Sequence, residues 1–182
     1  MKTIKTPLTD KEIKSLKVGE RVQLSGTIYT ARDAAHNRLV ELLQAKKPLP
    51  FDLKGQIIYY CGPTPAKPGH PIGSAGPTTA SRMDGLTIPL LQAGIKATIG
   101  KGRRSREVRS ALKKYKALYL AATGGAGALL SKHIKKAKVK AYPELGPEAI
   151  YEFEVQNFPV IVANDIQGKD VFEEGMKKYR KK

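Results

Sequence analysis

Four residues of this chain have the types and positions to act on a small anion: Arg32, Thr78, Arg82 and Lys101. Arginine suits bidentate recognition of a carboxylate, and lysine adds a compact point charge. Two Arg and one Lys converging on one spot would suit a dicarboxylate. Thr78 and Arg82 share one stretch, Gly76-Pro77-Thr78-Thr79-Ala80-Ser81-Arg82-Met83-Asp84, which follows a loop dense in Gly and Pro. Glycine lets backbone approach a ligand closely, and Pro77 fixes one φ angle. Thr78 or Thr79 stands where a helix N-cap is expected, so the first free N–H groups would face the loop and could hold an anion. Arg82 follows Thr78 by one helical turn on the same face. The competing reading is an ordinary capped helix with a solvated Arg.

Three other groups bear on that choice. Asp33 and His36 are three residues apart at the start of a helix that Arg32 precedes. Asp33 there complements the helix dipole, and His36 reads as a partly buried hydrogen bonder. Lys101-Gly102-Arg103 is a tight turn after a strand, with a solvated Lys as the alternative. Thr123-Gly124-Gly125-Ala126-Gly127 could cradle an anion or could pack a helix closely on a strand. It lacks the dinucleotide spacing and the Gly-Lys-Ser/Thr ending of a phosphate loop. No metal-ligand cluster, Ser–His–Asp pattern or cofactor motif is visible, so any electrophile must come from elsewhere.

The elements that would position these residues follow from periodicity and punctuation. Thr9-Asp10-Lys11-Glu12 caps a short helical turn running to about Leu16. Arg21–Thr30 alternates as a strand, and a helix follows from about Asp33 to Ala45. Gln56–Tyr60 is a strand that opens into the Gly/Pro loop. Leu86–Gln92 is helical despite Pro89, with Gly94 as its stop. Lys96–Gly100 is a strand, Ser105–Tyr115 a helix, Lys116–Ala122 a strand, and a further helix runs to His133. Lys138–Tyr142 is extended. Ile150–Val155 and Phe158–Ala163 read as two strands, the second displaced by Pro159, and a terminal helix runs from Lys169 to the end. The alternation from Gln56 to His133 argues for parallel βαβ units within one mixed α/β domain spanning residues 1–182. Ligands gather at the carboxyl ends of such strands, where Arg32, Thr78, Lys101 and Gly124 all fall. That coincidence favours a site.

At 182 residues the chain can bury a proper core. No apolar run approaches a membrane span, and Met1-Lys2-Thr3-Ile4-Lys5 lacks the apolar stretch of a signal peptide. The lone Cys61 rules out an internal disulfide framework and points to the cytosol. With 33 basic and 16 acidic residues the formal charge is +17. Nucleic acid is the first partner such a charge brings to mind, and an acidic partner subunit or anionic substrate the second. Many of the basic residues sit in expected helical tails (Lys132, Lys135, Lys136 and Lys138; Lys177, Lys178, Arg180, Lys181 and Lys182), as solvated faces. The chain has no Trp and no basic–aromatic interleaving, so a basic nucleic-acid-binding module is the weaker alternative.

Thr30-Ala31-Arg32-Asp33-Ala34-Ala35-His36, Gly76-Pro77-Thr78-Thr79-Ala80-Ser81-Arg82-Met83, Lys101-Gly102 and Glu144-Leu145-Gly146-Pro147-Glu148-Ala149-Ile150 occur in that order. Together they resemble the C-terminal domain of class I, iron–sulfur-dependent fumarases, which also forms the β subunit of two-subunit fumarate hydratases and L(+)-tartrate dehydratases. The resemblance runs from about Leu8 to Asp170. It implies a swivelling β/β/α domain with a mixed sheet and flanking helices. It implies reversible hydration of fumarate to L-malate, or dehydration of L(+)-tartrate or a related hydroxy-dicarboxylate. It also implies a four-iron four-sulfur cluster held by three cysteines of a separate α subunit, whose open iron acts as Lewis acid on the substrate. An α2β2 assembly with a homodimeric contact would follow. In the resemblance Arg32, Arg82 and Lys101 bind substrate carboxylates, Thr78 is the catalytic base, and Asp33 and His36 orient their neighbours. Cys61 matches no motif.

Overall fold

The computed structural model describes residues 1–180. Its elements in order are β1 (Lys2–Lys5), α1 (Asp10–Ser15), β2 (Arg21–Thr30), α2 (Asp33–Gln44), β3 (Ile57–Tyr59), α3 (Asp84–Gln92), β4 (Ala97–Gly100), α4 (Arg106–Tyr115), β5 (Leu118–Ala121), α5 (Gly127–Ser131), β6 (Ile134–Ala141), β7 (Ile150–Asn164) and α6 (Val171–Tyr179). Tight 3-10 turns occupy Ala80–Met83 and Pro143–Glu148. The last two lysines of the expected terminal helix lie outside the described residues.

All seven strands belong to one mixed sheet in the order β1-β2-β3-β4-β5-β7-β6, and β2 also pairs with β7. The second pairing closes β2, β3, β4, β5 and β7 into a ring. The first four of these run parallel to their neighbours, and β7 is antiparallel to both β5 and β2. The mixed sheet and flanking helices match the expectation. The ring closure does not follow from periodicity, because it depends on the long-range partner of β7.

Alternation along the strands sorts the core into two layers. Ile57, Tyr59, Ala97, Ile99, Leu118 and Leu120 join Val22, Leu24, Phe153 and Phe158 in one cluster. Ile58, Tyr60 and Tyr119 turn the other way, against Leu39, Met83, Leu90 and Leu112 of the helical layer. The period-two pattern of a strand buried on both faces gives this division. Local chemistry fixes the helix starts: Thr9 and Glu12 form a capping box on α1, and the Ser105 hydroxyl accepts from Val108 N on α4.

Two expectations need correction, and one strand is new. Residues 150–164 form one strand, with Pro159 inside it. Val162 donates its N–H toward β2, to Glu20 O at 2.9 Å. By alternation the nitrogen of residue 159 faces away from β2. On that side Pro159 falls between the stretch paired with β6, ending at Val155, and the stretch paired with β5, starting at Ile161. The missing N–H therefore removes no ladder bond. The extended segment expected at Lys138 begins at Ile134, so Lys135, Lys136 and Lys138 lie on an edge strand and not in a helical tail. Lys136 pairs with Glu154 (2.9 Å) and Lys138 with Glu152 (2.8 Å), a charged edge that discourages further strand pairing. Finally, β1 was not anticipated, since Lys2–Lys5 is too short and too polar to stand out.

Candidate active site at the strand-end rim

Because β2, β3, β4 and β5 are parallel neighbours, their carboxyl ends form one side of the ring. Arg32 follows β2, Lys101 follows β4 and Gly124 follows β5. Thr78 returns to the exit of β3, where its N–H donates to Tyr60 O at 2.7 Å. The segment then runs beside the exit of β4. Lys101 N donates to Thr78 O (3.1 Å), Ala80 N donates to Lys101 O (2.9 Å), and Thr79 and Lys101 form a parallel bridge.

This pairing corrects one expectation. Thr79 precedes only a 3-10 turn and its side chain makes no cap bond. Ala80 N–H is spent on Lys101 O, so the stretch is not an open helix mouth for an anion. Its anion-binding capacity rests on side chains. The Gly-rich turn after β5 is likewise a packing device: a Cβ on Gly127 would come within 2.4 Å of Ser74 Oγ and 2.9 Å of Gly76 N. Gly124 and Gly62 make room for the cations. A Cβ on Gly124 would lie 3.3 Å from Lys101 Cδ, and one on Gly62 would lie 3.0 Å from both Cδ and Nη1 of Arg32.

Charges are laid out in a chain. Arg82 Nη2 donates to Asp33 Oδ2 (3.1 Å), and Arg32 Nη2 lies 3.8 Å from the same oxygen. Arg32 Nη2 also meets Glu148 Oε1 at 3.2 Å. The other oxygen, Glu148 Oε2, accepts from Ala34 N at 2.9 Å. Glu148 thereby caps α2, whose own N-cap residue, Arg32, offers no side-chain acceptor. Arg38 pairs with Glu144 and lies over the Tyr142 ring, tying the 143–148 turn to the same helix. Lys101 has no acidic partner among the described residues. Arg32 and Arg82 balance Asp33 and Glu148, and Lys101 at the exit of β4 adds one positive charge without a described acid. Arg82 is half exposed and Thr78 half buried, and Thr78 Oγ1 takes no hydrogen-bond partner among the described residues.

His36 is fully buried, more so than expected, with its ring edge-on to Tyr60. Its Nδ1–H donates to Arg32 O at 2.8 Å, and its backbone N–H donates to the same oxygen. Burial pushes its pKa down to about 4, with the Arg104 charge adding to the effect, and the Arg32 carbonyl only partly opposes this. His36 is therefore a neutral brace for the Arg32 backbone at neutral pH.

Sequence reasoning missed the roles of Glu148 and of Arg104. Glu148 stands in a quoted run, but a cap supplied from 114 residues away leaves no local signal. Arg104 reads as one more basic turn residue, yet it is 5% exposed. A hollow of about 780 Å³ along α6 includes none of the four rim residues.

With this geometry in hand, the comparisons with known proteins are direct. The chain matches the fumarase C-terminus family over residues 2–175, and it belongs to that family. It is 44% identical over 181 residues to a putative L(+)-tartrate dehydratase subunit beta of Methanocaldococcus jannaschii, covering 96% of this chain and 93% of that protein. It is 33% identical to the L(+)-tartrate dehydratase subunit beta of Escherichia coli, of which it covers 90%. It is 43% identical over 166 residues to the anaerobic class I fumarate hydratase of Escherichia coli, but spans only 30% of that longer protein.

The described residues do not fit an iron–sulfur cluster. No group of three or more His, Cys, Asp and Glu among them is placed to hold a metal. Cys61 is fully buried and burial pushes its thiol up to about 12, far from a thiolate ligand. No helix of the described residues is long and apolar enough to cross a membrane.

Proposed function

We propose that this chain is the β subunit of a hydro-lyase that reversibly hydrates fumarate to L-malate, acting with a separate α subunit that carries the four-iron four-sulfur cluster. The observation that carries this reading is the cation set of the rim. Arg32 follows β2, Lys101 follows β4, and Arg82 lies in the turn after the Thr78 segment at the exit of β3 between them; Lys101 is free of any described acid and is joined by backbone bonds to the Thr78 segment. Arg32 and Arg82, spaced by Asp33, take one carboxylate of the substrate, and Lys101 takes the other. Thr78 Oγ1 moves the proton at the carbon next to a carboxylate. A threonine hydroxyl is a weak base, and the nearby positive charges favour its ionised form. Asp33 and His36 hold Arg82 and Arg32 in place. The chain works as one domain that swivels against the α subunit, in an α2β2 complex of the cytoplasm.

A second reading, L(+)-tartrate dehydratase, is supported by the 44% and 33% identity to the two L(+)-tartrate dehydratase β subunits. The test is steady-state turnover of fumarate and of L(+)-tartrate by the reconstituted α–β complex. In that complex Thr78→Ala loses about a hundredfold or more in kcat, whereas Lys101→Met chiefly raises KM. Near-normal kcat for Thr78→Ala would remove Thr78 from the chemistry.

A further inference from the structure

Beneath the rim lies a buried ion pair that none of the assigned roles uses. Arg104 Nε donates to Asp84 Oδ1 at 2.7 Å, and the Arg104 side chain has no exposure. Its Nη1 donates to Tyr60 Oη (2.9 Å) and Thr98 Oγ1 (3.2 Å), and its Nη2 donates to Thr87 Oγ1 (2.7 Å). Tyr60 Oη in turn lies 3.0 Å from Thr87 Oγ1, which donates to Met83 O at 2.7 Å. Asp84 Oδ2 accepts from Ser105 N at 2.7 Å. The guanidinium also lies 5.2 Å from the centres of both the Tyr60 and Tyr119 rings, and Tyr119 Oη donates to Gly102 O at 2.9 Å.

The partners lie on, or bond to, segments that carry a rim residue. Tyr60 receives the Thr78 N–H on its carbonyl. Asp84 and Met83 directly follow Arg82. Arg104, Gly102 and Ser105 belong to the turn that begins at Lys101. Thr98 lies on β4, which leads into that turn. A single guanidinium thus bonds to, or through one more residue reaches, every segment that must keep Thr78, Arg82 and Lys101 in register. An ion pair placed for stability alone would be a poor choice, because apolar residues of similar volume commonly do as well in a buried site. The fork of donors provides directional bonds to four separate side chains at once, which a lysine cannot reproduce.

The geometry points to Arg104, paired with Asp84, as a positioning residue for the reaction at the rim. It acts through Tyr60, Thr87 and the 101–105 turn and touches no substrate. The assignment rests on the reading of the rim as a dicarboxylate site, so its test has two arms. In the reconstituted complex, Arg104→Lys, Asp84→Asn and the double variant Arg104→Met with Asp84→Asn are compared for melting temperature, kcat and KM with fumarate and L(+)-tartrate. In the isolated chain, amide hydrogen exchange is followed at Thr78 and Lys101 against the amides of Ile58 and Ile99.

The single variants are expected to melt lower, since each leaves a buried group unpaired. The double variant, with no unpaired charge, regains much of that loss. Its kcat nevertheless stays at least tenfold below wild type, and Arg104→Lys does not rescue it. Exchange at Thr78 and Lys101 accelerates at least tenfold, while Ile58 and Ile99 stay protected. A double variant with wild-type kcat, KM and exchange would reduce the pair to a stability device and overturn the assignment. If the wild-type complex turns over neither substrate, the dicarboxylate reading fails. The exchange arm then decides on its own: selective acceleration at Thr78 and Lys101 upholds the ordering role, and unchanged exchange refutes it.

Discussion

His36 offers a stability prediction whose size follows from its surroundings. The ring is wholly buried, donates through Nδ1 to the Arg32 carbonyl, and has no partner for Nε2 among the described residues. Its pKa falls from 6.5 to about 4. The unfolded chain therefore takes up a proton that the folded chain refuses. Stability is complete above about pH 6.5 and is lost as the pH falls toward 4; below that both states are protonated and the loss levels off. At about 1.4 kcal/mol per pKa unit the full loss is about 3 kcal/mol. The perturbation is His36→Asn, which keeps an amide donor near the Nδ1 position but does not titrate. Urea unfolding of both proteins from pH 7 to pH 4 isolates this contribution, because acid-labile carboxylate pairs are common to both. The stability of wild type minus that of the variant should fall by about 3 kcal/mol across the range. A difference that stays flat, or a His36 imidazole resonance titrating near 6.5 in the folded protein, would refute the buried neutral state.

Other consequences can be checked separately. Glu148→Ala removes both the α2 cap and the outer brace of Arg32 and should cost about 1 kcal/mol in thermal unfolding; Glu148→Gln, which keeps an oxygen for Ala34 N, should recover most of it, and equal losses would argue against capping. Gly62→Ala places a methyl 3.0 Å from the Arg32 side chain and 3.1 Å from Pro147 O; about 1–3 kcal/mol of destabilisation and a raised KM for the dicarboxylate should appear together in melting and kinetic measurements. Cys61 should resist thiol reagents in the native chain at pH 8 and label rapidly in urea, and native labelling would contradict its burial.

Legibility in the sequence followed the range of the interactions. Strands and helices with strong local periodicity, such as Arg21–Thr30 and the segment ending at Tyr115, were readable to within a residue or two. Their parallel order made a common rim expected, and Arg32, Thr78 and Lys101 all stand on it. What was not readable depended on partners far along the chain. Closure of the ring needs β7 to meet β2 across about 130 residues of sequence. Asp33 appeared as a helix-dipole residue because its second role, pairing with Arg82, spans 49 residues. The Thr78 stretch looked like a helix mouth because local sequence cannot reveal that Ala80 N–H will be taken by Lys101 O. Arg104 carries the charge of a surface residue and the environment of a core one, a contrast visible only once Asp84, Tyr60, Thr87 and Thr98 surround it.

The measurement that bears most directly on the assignment is fumarate consumption by the purified chain alone, by its cluster-loaded α subunit alone, and by the two combined. Turnover by the combination only, with inhibition by L-malate and collapse on Arg32→Ala, is the predicted result. A cluster-loaded complex that consumes neither fumarate nor L(+)-tartrate, or one whose turnover survives Arg32→Ala, would contradict a dicarboxylate site on this rim.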